Sequence, residues 1–153
     1  MAGLIYTAAT QAELATGVVE YSPIILLPPD VNTRLKLKRW SIGFDGTDPL
    51  AAPVQVILAR TTTAGTYTNT LTPALNGPGS EVSRAVAKTL GTSLPTKGNI
   101  LDVIEIHPQS SYEVILPLGD EIIIPGSAGT AGIALYVTAA ATVNCLAKFI
   151  YEE

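Results

Sequence analysis

The sequence predicts an all-β protein: a single-domain antiparallel β-sandwich, jelly-roll-like, with roughly eight or nine strands. Three observations carry this reading. Gly and Pro punctuate the whole chain, with 13 and 11 residues respectively. Between these breaks lie short runs rich in Val, Ile, Thr and Tyr, residues that suit a pleated, half-buried surface. No segment holds an apolar 3.6-residue period over a whole helix length. With 153 residues the chain has the size of one domain, spanning residues 1–153, and neither a linker nor an internal repeat divides it.

The elements follow in order. Residues 1–15 read as an extended N-terminal arm, with Leu4 to Ala8 equally readable as a strand. Thr10 to Thr16 has room for one or two helical turns. Gly17 to Leu27 reads as a strand broken at Pro23, whose missing N–H suits an edge or a bulge, and Pro28-Pro29-Asp30 closes it. Arg34 to Phe44 is the clearest strand. Leu35 and Leu37 share one parity, while Trp40, Ile42 and Phe44 share the other. The phase switches at Lys38-Arg39, and a β-bulge there returns both apolar sets to one side. Asp45 to Pro49 is a turn, and Val54 to Arg60 alternates as a strand. Thr61 to Gly79 reads as a long loop with room for one edge strand. Ser80 to Lys88 fits a strand or a helical turn, and Gly91 to Asn99 reads as a second loop. Further strands are expected at Ile100 to Ile106, Tyr112 to Leu116, Glu121 to Ile124, Gly132 to Thr138 and Val143 to Tyr151. Ala139 to Ala141 is a turn or bulge between the last two.

Composition narrows the function. Hydrophobic residues make up 47% of the chain and charged residues 14%, against roughly 25% charged in a typical domain. Mean hydropathy is +0.35. The longest uninterrupted apolar stretch, Pro23 to Pro29, is far short of the roughly 20 residues a membrane helix needs, so no membrane partner is expected. The low charge is spread over the fold, which favours surface that becomes buried in an assembly over a plain Ala- and Thr-rich exterior. A net charge of −4 argues against sequence-independent nucleic-acid binding. One cysteine permits no intrachain disulfide, and the first residues carry no basic, apolar signal-peptide pattern. The expected place of synthesis is a cytoplasm.

Catalytic machinery is hard to assemble from these residues. His107 is the one histidine, too few for a multi-histidine metal site, and no nucleophile turn of the GxSxG kind occurs. A packing or turn-capping role is expected for it. Cys145 alternates with apolar residues and reads as a buried small hydrophobe. Asp45 and Asp48 read as turn residues rather than cation ligands. The Gly-rich run Gly126 to Gly132 lacks the Lys-Ser/Thr pair of a phosphate loop. No catalytic residue, metal or cofactor is expected. The basic run Arg34, Lys36, Lys38 and Arg39 has two readings: a solvated face that also guards an edge, or a contact with an acidic partner.

Several stretches together resemble a family of phage structural proteins. They are Trp40 to Thr47 (WSIGFDGT), Pro53 to Gly65 (PVQVILARTTTAG), Glu105 to Gln109 (EIHPQ), Pro117 to Glu121 (PLGDE) and the closing Phe149 to Glu153. From about Leu4 onward the chain is similar to small capsid decoration (auxiliary, or cement) proteins of tailed phages, including phages of thermophilic bacteria. The resemblance implies a jelly-roll subunit that forms homotrimers. The trimers would bind the major capsid protein on the outer surface of the expanded shell and stabilise it. It also implies a terminal arm reaching neighbouring subunits, for which Leu4, Ile5 and Tyr6 are the candidates. The virion would be the site of action and the host bacterial cytoplasm the site of synthesis. One departure is the charge-poor composition, since proteins of hot environments tend to carry ion-pair networks. The alternative expectation is a receptor- or carbohydrate-binding module of a virion fibre or tail.

Overall fold

The computed structural model describes residues 3–153, and within them the chain is all β with no helix. The strands are β1 (Ile5–Ala9), β2 (Leu14–Thr16), β3 (Ile24–Leu27), β4 (Leu35–Phe44), β5 (Val54–Thr61), β6 (Thr66–Leu71), β7 (Ala74–Leu75), β8 (Val86–Ser93), β9 (Lys97–Ile106), β10 (Ser111–Ile115), β11 (Ile122–Ile124), β12 (Ile133–Thr138) and β13 (Val143–Glu152). They form two antiparallel sheets. The first has the order β10-β4-β13-β1-β7, with β11 also on β4 and β2 also on β13; the second has the order β6-β8-β3-β12-β5-β9.

The pairing is nested. β6 pairs with β8 and β5 with β9. β4 then pairs with β10 and β11, β3 with β12, and β1 and β2 with β13. A long hairpin folded over on itself and rolled gives this concentric pattern, the jelly-roll principle. The departure is that the innermost pair, β6·β8, joins the same sheet as β3·β12.

The core between the sheets holds Trp40, Phe149, Tyr151, Leu37, Leu58 and Leu135, all fully buried. The expected bulge in the fourth strand is present. Arg39 lies opposite Ile150 and Leu37 opposite Tyr151, so Lys38 is the extra residue. Leu35 and Leu37 on one side of it, and Trp40 and Ile42 on the other, therefore all face the core. A second apolar cluster lies outside the second sheet: Ile25, Leu27, Ile57, Ala59, Ala134 and Tyr136. The outer parts of β6 and β8 and the segment after them cover it. Tyr67 hydrogen-bonds to Ser22 at 2.7 Å, and the Tyr136 hydroxyl donates to the Pro95 carbonyl at 3.1 Å. The strand bends there at Leu90, whose φ is +61°, and Gly91. A Cβ on Gly91 would stand 2.8 Å from the Ser22 carbonyl oxygen, so only glycine allows the approach.

The strand count exceeds the expectation. Thr61 to Gly79, expected to be mostly loop, contains β6 and β7, and Gly91 to Asn99 is strand apart from residues 94–96. Thr recurs through both segments, and β-branched side chains favour the extended backbone even where little is buried. Within Thr10 to Thr16, Leu14–Thr16 is a strand on β13 rather than a helical turn. Pro23 ends the broken segment, and the strand proper begins at Ile24.

Candidate interaction surfaces

The residues with catalytic potential are engaged in structure. His107 Nδ1 accepts the Gln109 N–H at 3.2 Å, which leaves the Nε2–H to donate to the Pro49 carbonyl at 3.3 Å. The imidazole thus braces the loop between β4 and β5. Cys145 is 1% exposed, and burial pushes its thiol up to about 12, the opposite of an activated nucleophile. Asp45 accepts both the backbone and side-chain N–H groups of Asn144, each at 2.9 Å, and Asp48 accepts the Leu50 N–H at 2.9 Å. Gly126 and Gly132 pack against the Val31 and Leu26 carbonyls. Among the described residues, no three His, Cys, Asp or Glu side chains are grouped to hold a metal. Every buried side-chain polar atom there has a partner.

The basic run on β4 is neutralised from its own flanks. Lys36 pairs with Glu152 at 3.5 Å. Lys38 pairs with Glu152 at 2.8 Å and with Glu121 at 3.3 Å. Arg39 and Lys148 share Glu113 at 3.5 and 3.9 Å. The hydrogen bond to Glu152 raises the Lys38 pKa and lowers that of Glu152 in return. Glu121 is held low first by backbone N–H groups, including that of Gly119, and then by Lys38. The bulge explains the arrangement: it sets Lys38 on the outer face between a carboxylate of β13 and the one preceding β11. Among the described residues Arg34 alone of the four has no carboxylate partner. This favours the solvated-face reading of the run.

The N-terminal candidates separate. Residues 1 and 2 of the expected arm lie outside the described residues. From Leu4 onward the segment belongs to the sheet: Leu4 exchanges backbone hydrogen bonds with Glu153 at 3.0 and 3.2 Å, and β1 lies between β13 and β7. Tyr6 is 2% exposed and stacks on Tyr151 with ring centroids 5.9 Å apart. Leu4 and Ile5 remain exposed. The apolar character of the segment reflects its place in this chain's own sheet, so it does not project as an arm.

The structure brings forward surfaces that the sequence reading passed over. One flank of the sandwich is formed by β9, the edge of the second sheet, and by β10 and β11, the edge of the first. Arg60 ties the two sheets there by donating to the Ile123 carbonyl at 2.8 Å. Ile100, Leu101, Val103, Ile115 and Ile123 are exposed along this flank, and Leu118, in the turn between β10 and β11, is 93% exposed. The sequence carries a signal for this flank: Ile100-Leu101 and Ile122-Ile123-Ile124 put apolar side chains on both parities of edge strands, so both faces are apolar. The second surface is the end of the sandwich where β4, β9 and β12 finish. There Leu50 is 91% exposed, and Val18 and Val19 are also bare.

No protein-family model matches the chain, and no curated protein matches it.

Proposed function

We propose that the chain is a structural protein that works by binding other subunits: a homotrimeric decoration protein on the outside of an expanded tailed-phage capsid, which it stabilises. The observation that carries this reading is the apolar flank of β9, β10 and β11. A stand-alone sandwich blunts its edges with charge, proline or short strands. Here a ten-residue edge strand carries Lys97, Asp102 and Glu105 yet still exposes Ile100, Leu101 and Val103 beside Ile115 and Ile123. Contact with another copy would remove this surface from water. The capsid contact would then be repeated around the trimer, so that modest individual contacts add by avidity. The role needs no cofactor and no turnover.

The alternative, a carbohydrate-binding module, draws less support. Sugar recognition leans on exposed aromatic faces, and the single tryptophan, Trp40, is buried at 1% exposure against Tyr112. The direct test is co-sedimentation with expanded shells of tailed phages stripped of decoration protein, beside unassembled coat protein as a control. Saturable pelleting with shells and none with free coat protein is the expected result. A protein that stays in the supernatant with every shell would refute the capsid role.

A further inference from the structure

The formal net charge of the chain is −4, from nine Lys and Arg and thirteen Asp and Glu, and this excess is not spread evenly. Glu13, Asp45, Asp48 and Glu105 are exposed at or beside the end where β4, β9 and β12 finish. The nine remaining carboxylates equal the nine cations in number. The loops at this end, residues 10–13, 17–20, 45–53, 107–110 and 139–142, contain no Lys or Arg. Five of those nine carboxylates meet cations: Glu113, Glu121 and Glu152 on the face of the first sheet, Asp30 with Arg84, and Glu20, on the inner side of the 17–20 loop, with Lys97 beside Tyr136. By number, the excess of four carboxylates therefore falls at this end.

That end also has shape. A hollow of about 220 Å³ lies between the 46–52 loop and the 139–143 turn, with Ala51, Ala52, Ala139, Ala140 and Ala141 in its lining. It is wide enough for one aliphatic side chain. Leu50 stands in full solvent at its rim, and the loop that presents it is fixed. The Gly46 N–H donates to the Pro108 carbonyl at 2.7 Å and the Ala51 N–H to the Asp48 carbonyl at 3.3 Å. Asp48 accepts the Leu50 N–H, and His107 holds the Pro49 carbonyl. A rigid loop that holds a leucine out of contact with its own protein is preorganised for contact with another.

We infer that this end is a docking face for a basic protein surface that inserts an aliphatic side chain into the Ala-lined hollow. Charge complementarity selects the occupant. A second copy approaching through the same end would bring four carboxylates against four, and like charges in juxtaposition oppose association. A cationic surface would gain from all four and would be steered to them at low salt. The inference deepens the decoration reading by giving the chemistry of the capsid-side partner, and it rests on that reading only for the partner's identity. It also reverses the polarity that the basic run suggests: Lys36, Lys38 and Arg39 are paired with this protein's own carboxylates, and the net charge of the chain is negative.

The test uses no capsid. Backbone amide shifts of the ¹⁵N-labelled protein are followed while a blocked Gly-Lys-Lys-Leu-Lys-Lys-Gly peptide is added, with the Glu-for-Lys peptide as control. Shifts from the Lys peptide confined to the loops at residues 10–13, 17–20, 45–53, 105–110 and 139–143 are expected, with none from the Glu peptide. The double variant Glu13→Gln/Glu105→Gln, which removes the charge of two exposed side chains that have no hydrogen bond of their own among the described residues, should weaken binding roughly fivefold. Ala141→Leu should fill the hollow and abolish any preference for Leu over Ser in the peptide. Shifts centred elsewhere, or none, would overturn the inference. So would amide exchange in the 45–53 and 139–142 loops that slows as protein concentration rises, since the face would then be a contact between copies. Failure of shell co-sedimentation alongside localised peptide shifts would remove the decoration role and leave the docking face standing.

Discussion

Cys145, Tyr67, Tyr136 and Tyr151 share one electrostatic situation. Each is largely shielded from water, and burial raises every one of their pKa values, because the low-dielectric interior disfavours the charged form. For Cys145 the ordinary value of 9.0 rises to about 12. Between those two values the native state binds more protons than the unfolded chain, so the stability this group contributes is complete below about pH 9 and is lost as pH rises toward 12. The urea midpoint should be level from neutral pH to about pH 9 and fall above it, and Cys145→Val should soften part of that fall. A thiol reagent at neutral pH should leave the native protein unlabelled and modify it once unfolded; rapid native labelling would contradict the burial. At the centre of the core, Trp40→Ala should cost about 3–5 kcal/mol in urea unfolding. The roles of Cys145 and Trp40 were legible in the sequence from strand parity, whereas Tyr67 lies in a segment that reads as loop and Tyr136 belongs to the second apolar cluster, on the opposite parity to Leu135. Cys145 alternates with Val143, Ala147 and Phe149, and all four are buried. The ion partners of Lys36, Lys38 and Arg39 were not legible, because Glu113, Glu121 and Glu152 lie 74 or more positions away along the chain.

Among the elements, β4 shows how a local pattern specifies a long-range structure. The parity switch at Lys38 demands a bulge, and the register against β13 contains one. Deleting Lys38 should therefore turn one apolar set of β4 to solvent and abolish cooperative unfolding, whereas Lys38→Thr should keep the fold; near-ultraviolet circular dichroism separates the two outcomes. β1 shows the reverse. A five-residue apolar segment has the same composition whether it projects or pairs, and its main partner, residues 148–152, is at the other end of the sequence. Removal of residues 1–9 should accordingly unfold the protein, since Tyr6 and Ala8 leave the core with it. A folded truncated chain of unchanged urea midpoint would contradict that placement. The sequence reading allowed one edge strand where β6 and β7 both lie, because Thr- and Gly-rich segments describe edge strands and loops alike. The covering of Tyr136 by the bent β6·β8 pair depends on a turn at Leu90 that no periodicity announces.

At the scale of the whole molecule, a charge-poor chain places many of its few charges in ion pairs, most of them across the face of the first sheet, and leaves an acidic end without Lys or Arg in its loops. What remains exposed is apolar to an unusual degree along the β9, β10 and β11 flank, and this is the physical basis of the assembly claim. Interfaces of closed oligomers bury such surface symmetrically. Placing Lys at both Ile100 and Val103 should therefore dissociate the assembly while leaving the subunit folded, because neither side chain belongs to the core. The most direct test of the central claim is the mass in solution by light scattering behind a sizing column, repeated over a hundredfold dilution. With a subunit of 16.0 kDa, three copies give about 48 kDa for a closed three-fold ring, and that mass is predicted to persist on dilution and to fall in the double-lysine variant. A constant mass of one subunit at every concentration would contradict the account.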